Sequence, residues 1–380
     1  MALAILVAEG RDNRKADLRR ARRWTWGAIA VATISLLSPV AALNYIVDNH
    51  NLLKDQSESS ELLDYVSNLR KAPFGVPYTF NDRSVKLLVA SQSQAKCLVI
   101  GASHVMSLRR TNNPLLGEEC PSLDNAGVTG ASFEDVITFL GIGLKNPNID
   151  KVIVGISLWT LKRNTRLNWM RNTREMLDAR QAFGLSTIPY DDMVLAGSES
   201  WIEQLFSLKY LRINYKFIKR AWAGKTSLTY DSRSLAEAEL KDVMALRSDA
   251  SISYPQEWRP TPKNEDLDTT DQWIAPPFVD SEVLQELTTA LEVLRKAGKK
   301  VVLFEGPYHP YVVDKCPKEN ICQAIPVVTA AVRSMAAKLN APIIGGYLPQ
   351  AFELSSDDFI DFQHTRGDSS AKIGLQQISQ

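Results

Sequence analysis

The chain has 380 residues, a formal net charge of +1 at pH 7, and the apolar (45%) and charged (23%) fractions of an ordinary globular protein. This length fits one large domain or two small ones. A net charge so close to zero gives no reason to expect a nucleic acid or an acidic polymer as partner.

The N-terminus departs from this average. Residues 24–47 contain no charged side chain, and roughly 20 apolar residues suffice to cross a bilayer. Arg19-Arg-Ala-Arg-Arg23 comes directly before them, and basic flanks stay in the cytoplasm. We therefore predict a cytoplasmic basic segment at 1–23, a single transmembrane anchor at 24–47, and an extracytoplasmic location for the rest. A signal peptide cleaved near Val40-Ala-Ala42 and a buried soluble helix are the alternatives.

Four cysteines fit an exported protein. Cys316 and Cys322 bracket a short polar loop, which is a typical setting for a local disulfide. Cys97 is placed at the start of one predicted strand and Cys120 just before the next, so these two could form a second bridge. Four buried thiols are the alternative, and no pair has the spacing of a zinc site.

A polar, partly helical stalk is predicted at residues 48–90, and a strand-and-helix alternation follows it. Short apolar runs rich in Val, Ile and Leu predict parallel strands that are buried on both faces, at 96–101, 123–127, 151–156, 299–304 and 342–346. Helical patterns lie between or after them, at 132–144, 281–297, 321–339 and 368–378. This alternation predicts an α/β fold with three layers, a doubly wound parallel sheet of about five strands. The active site should then lie at the carboxyl ends of the strands.

One region interrupts the alternation. Residues 160–278 contain no clear strand and begin with a helical pattern. They hold five tryptophans, Trp169, Trp201, Trp222, Trp258 and Trp273. We predict a large, mostly helical insertion at these positions within a catalytic domain spanning 91–380, where it would cover the mouth of the site. Its aromatic side chains could stack on sugar rings or form the insertion's own core.

The chemistry is predicted from residues that follow the strands. Gly101-Ala-Ser103 comes directly after the first strand, where small residues allow a sharp turn and a helix start presents N–H groups to a developing oxyanion. Asp361-Phe-Gln-His364 lies near the C-terminus. A serine nucleophile needs an imidazole to take its proton and a carboxylate to orient that imidazole. An ordinary loop serine and a surface histidine are the alternatives.

These blocks resemble the SGNH/GDSL hydrolase superfamily. Gly101-Ala-Ser103 matches its first block, Asn125-Ala-Gly127-Val-Thr-Gly130 its second, and Asp361-Phe-Gln-His364 its last. The resemblance implies that Ser103 is the nucleophile, that His364 is the base and that Asp361 orients it. It also implies that the N–H of Gly127 donates to the oxyanion; a glycine that merely permits the turn is the alternative.

The third block departs from the family's pattern. Gly155-Ile-Ser157-Leu-Trp159 stands where the family usually has Gly-x-Asn-Asp, so the side-chain donor of the oxyanion hole is missing. Ser157 or the indole N–H of Trp159 could substitute for it. His104, beside the serine, is a candidate substrate contact, and His309 is expected at the rim of the site.

Anchored members of the family with an altered third block resemble enzymes that add or remove acyl groups on cell-envelope polysaccharides. Such enzymes often work beside a multi-spanning membrane acyltransferase. The resemblance thus implies a periplasmic O-acyltransferase or esterase, anchored in the inner membrane and acting on acyl groups, with acetyl expected. No cofactor, metal or nucleic acid is expected, since neither a metal motif nor a phosphate loop occurs. The alternative is a catalytically inactive scaffold that binds glycan or a membrane acyltransferase.

Overall fold

The structure is a computed structural model. It describes residues 2–47, 60–75, 82–163, 173–186, 205–222, 234–236, 239–240, 244–254, 274–314 and 320–374. The chain divides into two compact units. The smaller comprises Met1–Lys54 and Ser198–Leu228, and the larger comprises Asp55–Gly197 and Thr229–Gln380.

Ten helices and eight strands are described. The helices are α1 (Ala2–Val47), α2 (Ser60–Leu69), α3 (Asp82–Ser91), α4 (Pro114–Glu119), α5 (Phe133–Lys145), α6 (Thr173–Ala182), α7 (Leu208–Trp222), α8 (Ser281–Lys296), α9 (Pro310–Asp314) and α10 (Asn320–Leu339). The strands are β1 (Phe74–Gly75), β2 (Cys97–Ile100), β3 (Leu123–Asn125), β4 (Lys151–Ile156), β5 (Ala245–Leu246), β6 (Ile252–Ser253), β7 (Lys300–Glu305) and β8 (Ile343–Gly345).

The larger unit is built on a five-stranded, entirely parallel sheet with the order β3-β2-β4-β7-β8. The five predicted strands are confirmed, with bounds that differ by at most two residues. Among the strands of this sheet, β2 comes first in the chain but lies second in the sheet, so the order of the strands reverses there. In open sheets of this order, ligands bind beyond the carboxyl ends of the strands at the point of reversal.

Both faces of the sheet are buried, which explains why its strands are continuous apolar runs. In β4, Val152 and Val154 join the apolar cluster on one face, and Ile153 joins the cluster on the other. The first cluster includes side chains of α5, α8 and α10. Among the described residues, the second is completed by α4 and by the 3-10 turns near the C-terminus. Each strand therefore buries successive side chains in opposite layers.

Three of the four predicted helices are confirmed, and the last is wrong over residues 368–374. Those residues contain only a 3-10 turn at Ser369–Lys372. Ile373 has extended dihedral angles and is buried against the sheet, and the carbonyl of Gly374 accepts a hydrogen bond from the N–H of Gly345. These contacts hold the chain extended where a helix would require it to coil.

Residues 48–90, the predicted stalk, contain the helices α2 and α3. Helix α2 buries Leu62, Tyr65, Val66 and Leu69, which follow helical spacing, in a cluster that also contains residues of α3, β1 and β5. Strands β1, β5 and β6 form a small antiparallel sheet. Strands β5 and β6 lie in the predicted insertion and have only two residues each, too few to leave a periodic pattern. Trp169, Trp201, Trp258 and Trp273 lie outside the described residues.

The disulfide between Cys97 and Cys120 is confirmed, with the two Cα atoms 5.7 Å apart. It links the start of β2 to the residue that follows α4. Cys322 is also disulfide-bonded. Its predicted partner, Cys316, lies outside the described residues.

Helix α1 contains a stretch, Arg22–Val47, that is long and apolar enough to cross a membrane, with a mean hydropathy of 1.8. None of its most apolar window is buried, and Trp24 and Trp26 are exposed. The helix continues through Pro39, which membrane helices tolerate. The apolar helix is therefore confirmed, while its insertion and orientation in a membrane remain predictions, with the cleaved signal peptide as the alternative.

Candidate functional site

Ser103 lies immediately beyond the carboxyl end of β2, in a 3-10 turn formed by Ser103–Val105. The turn depends on Gly101, whose φ of +150° is unfavourable for residues with a side chain. A Cβ atom at Gly101 would lie only 2.9 Å from the carbonyl oxygen of Gly155 in β4. Glycine therefore lets the chain leave β2 in close contact with β4, and this places Ser103 at the edge of the sheet where a ligand is expected.

His104 is buried between residues that follow β4 and β7. Its ring centroid lies 5.5 Å from that of Trp159 and 5.4 Å from that of Tyr308. Gly306 lies against the imidazole, since a Cβ atom there would come within 2.9 Å of Cδ2 of His104. The packing fixes the position of the ring and leaves little room for it to rotate.

The two nitrogens of His104 differ in their surroundings. Nδ1 lies 3.3 Å from Oγ of Ser157, whereas Nε2 is buried and has no hydrogen-bond partner among the described residues. Burial and, to a smaller extent, the nearby His364 lower the pKa of His104 to about 3, against the opposing effect of Asp361. The imidazole is therefore neutral at physiological pH and carries one donor and one acceptor.

Asp361 and His364 form a short, well-oriented pair. Nδ1 of His364 lies 2.7 Å from Oδ2 of Asp361. Oδ1 of Asp361 accepts hydrogen bonds from the backbone N–H groups of Gln363 and His364, at 2.9 and 2.8 Å. Burial raises the pKa of Asp361, but these hydrogen bonds outweigh it and the net effect is a lowered pKa. An ionised Asp361 keeps the proton of His364 on Nδ1, which leaves Nε2 free to accept a proton.

The structure brings the neighbourhoods of Ser103 and His364 together without closing the triad. The ring of His104, the residue after Ser103, lies 5.7 Å from the ring of His364. Nε2 of His364 is buried and makes no hydrogen bond to any described residue. The bond from Ser103 to His364 that a completed triad requires is thus not formed here. Catalytic hydrogen bonds are often long before substrate binds.

Two predicted oxyanion donors are already engaged. The N–H of Gly127 donates to Oδ1 of Asn125 at 2.9 Å, and the indole N–H of Trp159 donates to the carbonyl of Ala131 at 3.0 Å. A Cβ atom at Gly127 would also lie 2.7 Å from Cγ2 of Val105. Gly127 therefore allows β3 to pack beside the serine turn, and in this structure its amide does not serve as a free donor.

His309, the predicted rim residue, follows β7, and its ring is held by Tyr311 and Phe359. Its Nδ1 accepts a hydrogen bond from the N–H of Tyr311 at 3.0 Å, and its ring packs edge-on against Phe359 at 5.2 Å. Burial lowers the pKa of His309, against the opposing effects of Asp361 and Asp314. These contacts suit a residue that holds the segment between β7 and α9 in place.

Sequence reasoning missed two aromatic residues at the site. Tyr308 contacts His104, and its buried hydroxyl has no partner among the described residues. Its position just after β7 was the signal that could have identified it. Tyr254, from the predicted insertion, lies 6.3 Å from the ring of His364, and burial raises its pKa. No local pattern connects Tyr254 to the site, since only the fold brings it there.

The described residues contain no group of three or more His, Cys, Asp or Glu side chains that could hold a metal ion. The site contains a serine at a strand end, the imidazole of His364 oriented by Asp361, and the neutral imidazole of His104 between two aromatic rings. The chain matches no protein-family model and no curated protein sequence at a significant level.

Proposed function

We propose that the protein is a membrane-anchored serine O-acyltransferase or esterase with an SGNH-like, doubly wound fold. Its substrate would be an acyl group, with acetyl expected, on a cell-envelope or exported polysaccharide in the periplasm. The observation that carries the proposal is the Asp361–His364 pair, which contacts the residue next to Ser103. The apolar stretch of α1 supports anchoring, and a multi-spanning acyltransferase in the same membrane is the proposed source of acyl groups.

The reaction proceeds through an acyl-serine. Oγ of Ser103 attacks the carbonyl carbon of the donor while Nε2 of His364 takes the hydroxyl proton. The tetrahedral intermediate collapses, His364 returns the proton to the leaving group, and Ser103 holds the acyl group as an ester. A sugar hydroxyl or water then repeats these steps and releases Ser103. Asp361 stabilises the imidazolium that forms in each half-reaction.

His104 takes the place of the missing side-chain donor in the oxyanion hole. If the hydroxyl of Ser157 donates to Nδ1 of His104, the imidazole carries its proton on Nε2, the buried nitrogen that has no partner among the described residues. A neutral imidazole can polarise a carbonyl without transferring a proton to it. The backbone N–H groups at the start of the Ser103–Val105 turn are further donors to the oxyanion, because the first N–H groups of a helical turn have no acceptor within that turn.

Replacing His104 with alanine should lower kcat by about 10²–10³-fold, the usual effect of removing one oxyanion donor. His104→Gln should recover part of this loss, since its amide retains an N–H donor. The measurement is steady-state hydrolysis of p-nitrophenyl acetate, with circular dichroism to establish folding. A folded His104→Ala protein that keeps kcat within about threefold of the wild type would show that His104 does not donate to the oxyanion.

A non-catalytic scaffold is the second candidate. It is favoured by the engaged amide of Gly127 and by the absence of an Asn in the third block. Such a protein would keep the fold and bind a glycan or a membrane acyltransferase.

Labelling by a fluorophosphonate distinguishes the two candidates. We expect wild-type protein to be labelled at Ser103 and the Ser103→Ala and His364→Ala variants to remain unlabelled, because the phosphorus is attacked only by an activated serine. Mass spectrometry of the labelled peptide gives the site. Folded wild-type protein that stays unlabelled would favour the scaffold.

A further inference from the structure

Helix α7 has no role in the proposed chemistry, yet it is joined to the end of the apolar helix α1 within the smaller unit. The side-chain amide of Asn44 donates to the carbonyls of Leu205 and Ser207, at 3.0 and 3.1 Å. The amide of Asn214 in turn donates to Oδ1 of Asn44, at 3.1 Å. Both asparagines are fully buried. Because α1 ends at Val47, these bonds hold α7 beside the place where α1 would leave a bilayer.

An apolar stripe on α7 faces away from this contact. Leu208, Tyr215 and Trp222 are 70%, 60% and 83% exposed. They are spaced by seven residues, two helical turns, so they lie above one another on one side of the helix. Exposure of three large apolar side chains in a row is unusual for a surface that meets only water.

A cationic stripe runs beside the apolar one. Arg212, Lys216 and Lys219 are exposed, and their spacing of four and three residues places them on one side of the helix. The sequence of α7 contains no acidic residue that could neutralise them. The helix thus presents a buried side toward α1, an exposed apolar stripe and an adjoining cationic stripe.

We propose that α7 lies in the interface of the bilayer that α1 crosses, with its apolar stripe between the lipid headgroups and its cations on the phosphates of anionic lipids. Amphipathic helices with basic residues on one side and Trp or Leu on the other bind membranes in this way. An anionic polysaccharide would satisfy the cations but would leave the apolar stripe in water. The bilayer satisfies both stripes, and the bonds to Asn44 already hold α7 at the end of α1.

The test is depth-dependent quenching of a fluorescent label on the full-length protein in nanodiscs of phosphatidylglycerol and phosphatidylcholine. Because none of the described cysteines, Cys97, Cys120 and Cys322, has a free thiol, a single introduced cysteine is labelled selectively. Trp222→Cys reports on α7 and Leu36→Cys on the apolar stretch of α1. Val327→Cys, an exposed apolar position on α10, is the control. Lipids carrying a nitroxide near the headgroup are the quencher.

We expect strong quenching of the label at position 222, in contrast to the label at position 327. Changing Arg212, Lys216 and Lys219 to glutamine should weaken the association of α7 with the anionic surface about 100-fold, since each basic residue contributes about fivefold. Charge-preserving Lys216→Arg and Lys219→Arg should retain the quenching.

Three results would overturn the proposal. The first is a label at position 222 that is as unquenched as the control while the label at position 36 is quenched; this leaves the anchor intact. The second is an unquenched label at position 36, which would show that α1 does not cross the bilayer either. The third is a label at position 222 that ignores lipid but is shielded by added polygalacturonate, which assigns α7 to a polyanionic glycan. None of these depends on whether Ser103 is a nucleophile.

Discussion

Replacing Ser103 with alanine is expected to lower kcat for p-nitrophenyl acetate by about 10⁶-fold, because removal of the nucleophile from a Ser-His-Asp triad leaves only binding and oxyanion stabilisation. The free energy of unfolding should change by no more than about 1 kcal/mol, since the substitution removes a single oxygen atom from a buried serine at the end of the sheet. The measurements are steady-state hydrolysis and unfolding in guanidinium chloride.

The matched control is Ser107→Ala, which alters a buried serine four residues along the same segment. Ser107 lies outside the proposed triad, so the Ser107→Ala protein should keep the kcat of the wild type. Ser103→Ala protein that still turns over substrate at a rate near that of the wild type would contradict the mechanism, whatever its stability.

The second large effect is expected at Asp361. In Asp361→Asn the amide group donates to Nδ1 of His364 where the carboxylate accepted, so the imidazole proton moves to Nε2. That nitrogen can then no longer take the proton of Ser103, and kcat should fall by about 10⁴-fold. Hydrolysis of p-nitrophenyl acetate at neutral pH is the measurement.

Asp357→Asn serves as the control, because Asp357 is an exposed carboxylate four residues earlier in the same segment. Its substitution should leave kcat near the wild-type value. Equal losses in the two variants would mean that the segment tolerates no substitution. A wild-type rate in Asp361→Asn would show that Asp361 does not orient the base.

The central sheet was predictable because its strands are buried on both faces. This burial imposes near-continuous Val, Ile and Leu runs, such as Lys151–Ile156, that are visible in the sequence without knowledge of their neighbours. The start of α5 was equally visible, since Ser132 and Asp135 form a capping box there. These are local signals, and local signals survive in a single sequence.

What the sequence did not reveal depends on contacts between distant segments. Ile373 lies in a pattern that suits a helix, but its burial against the sheet extends the chain. The sequence predicts Gly127 as an oxyanion donor, but in the structure its N–H donates to the side chain of Asn125. Tyr254 reaches His364 from a segment that contains no motif. In each case, a residue far away or on a neighbouring turn decides the outcome.

The measurement that tests the account most directly is the intact mass of the full-length protein after brief incubation with p-nitrophenyl acetate. We expect one acetyl group to be added, to map to Ser103, and to be absent from His364→Ala protein, because His364 must take the hydroxyl proton for the ester to form. An adduct that persists in Ser103→Ala protein, or no adduct on folded wild-type protein, would contradict the claim that Ser103 is the nucleophile.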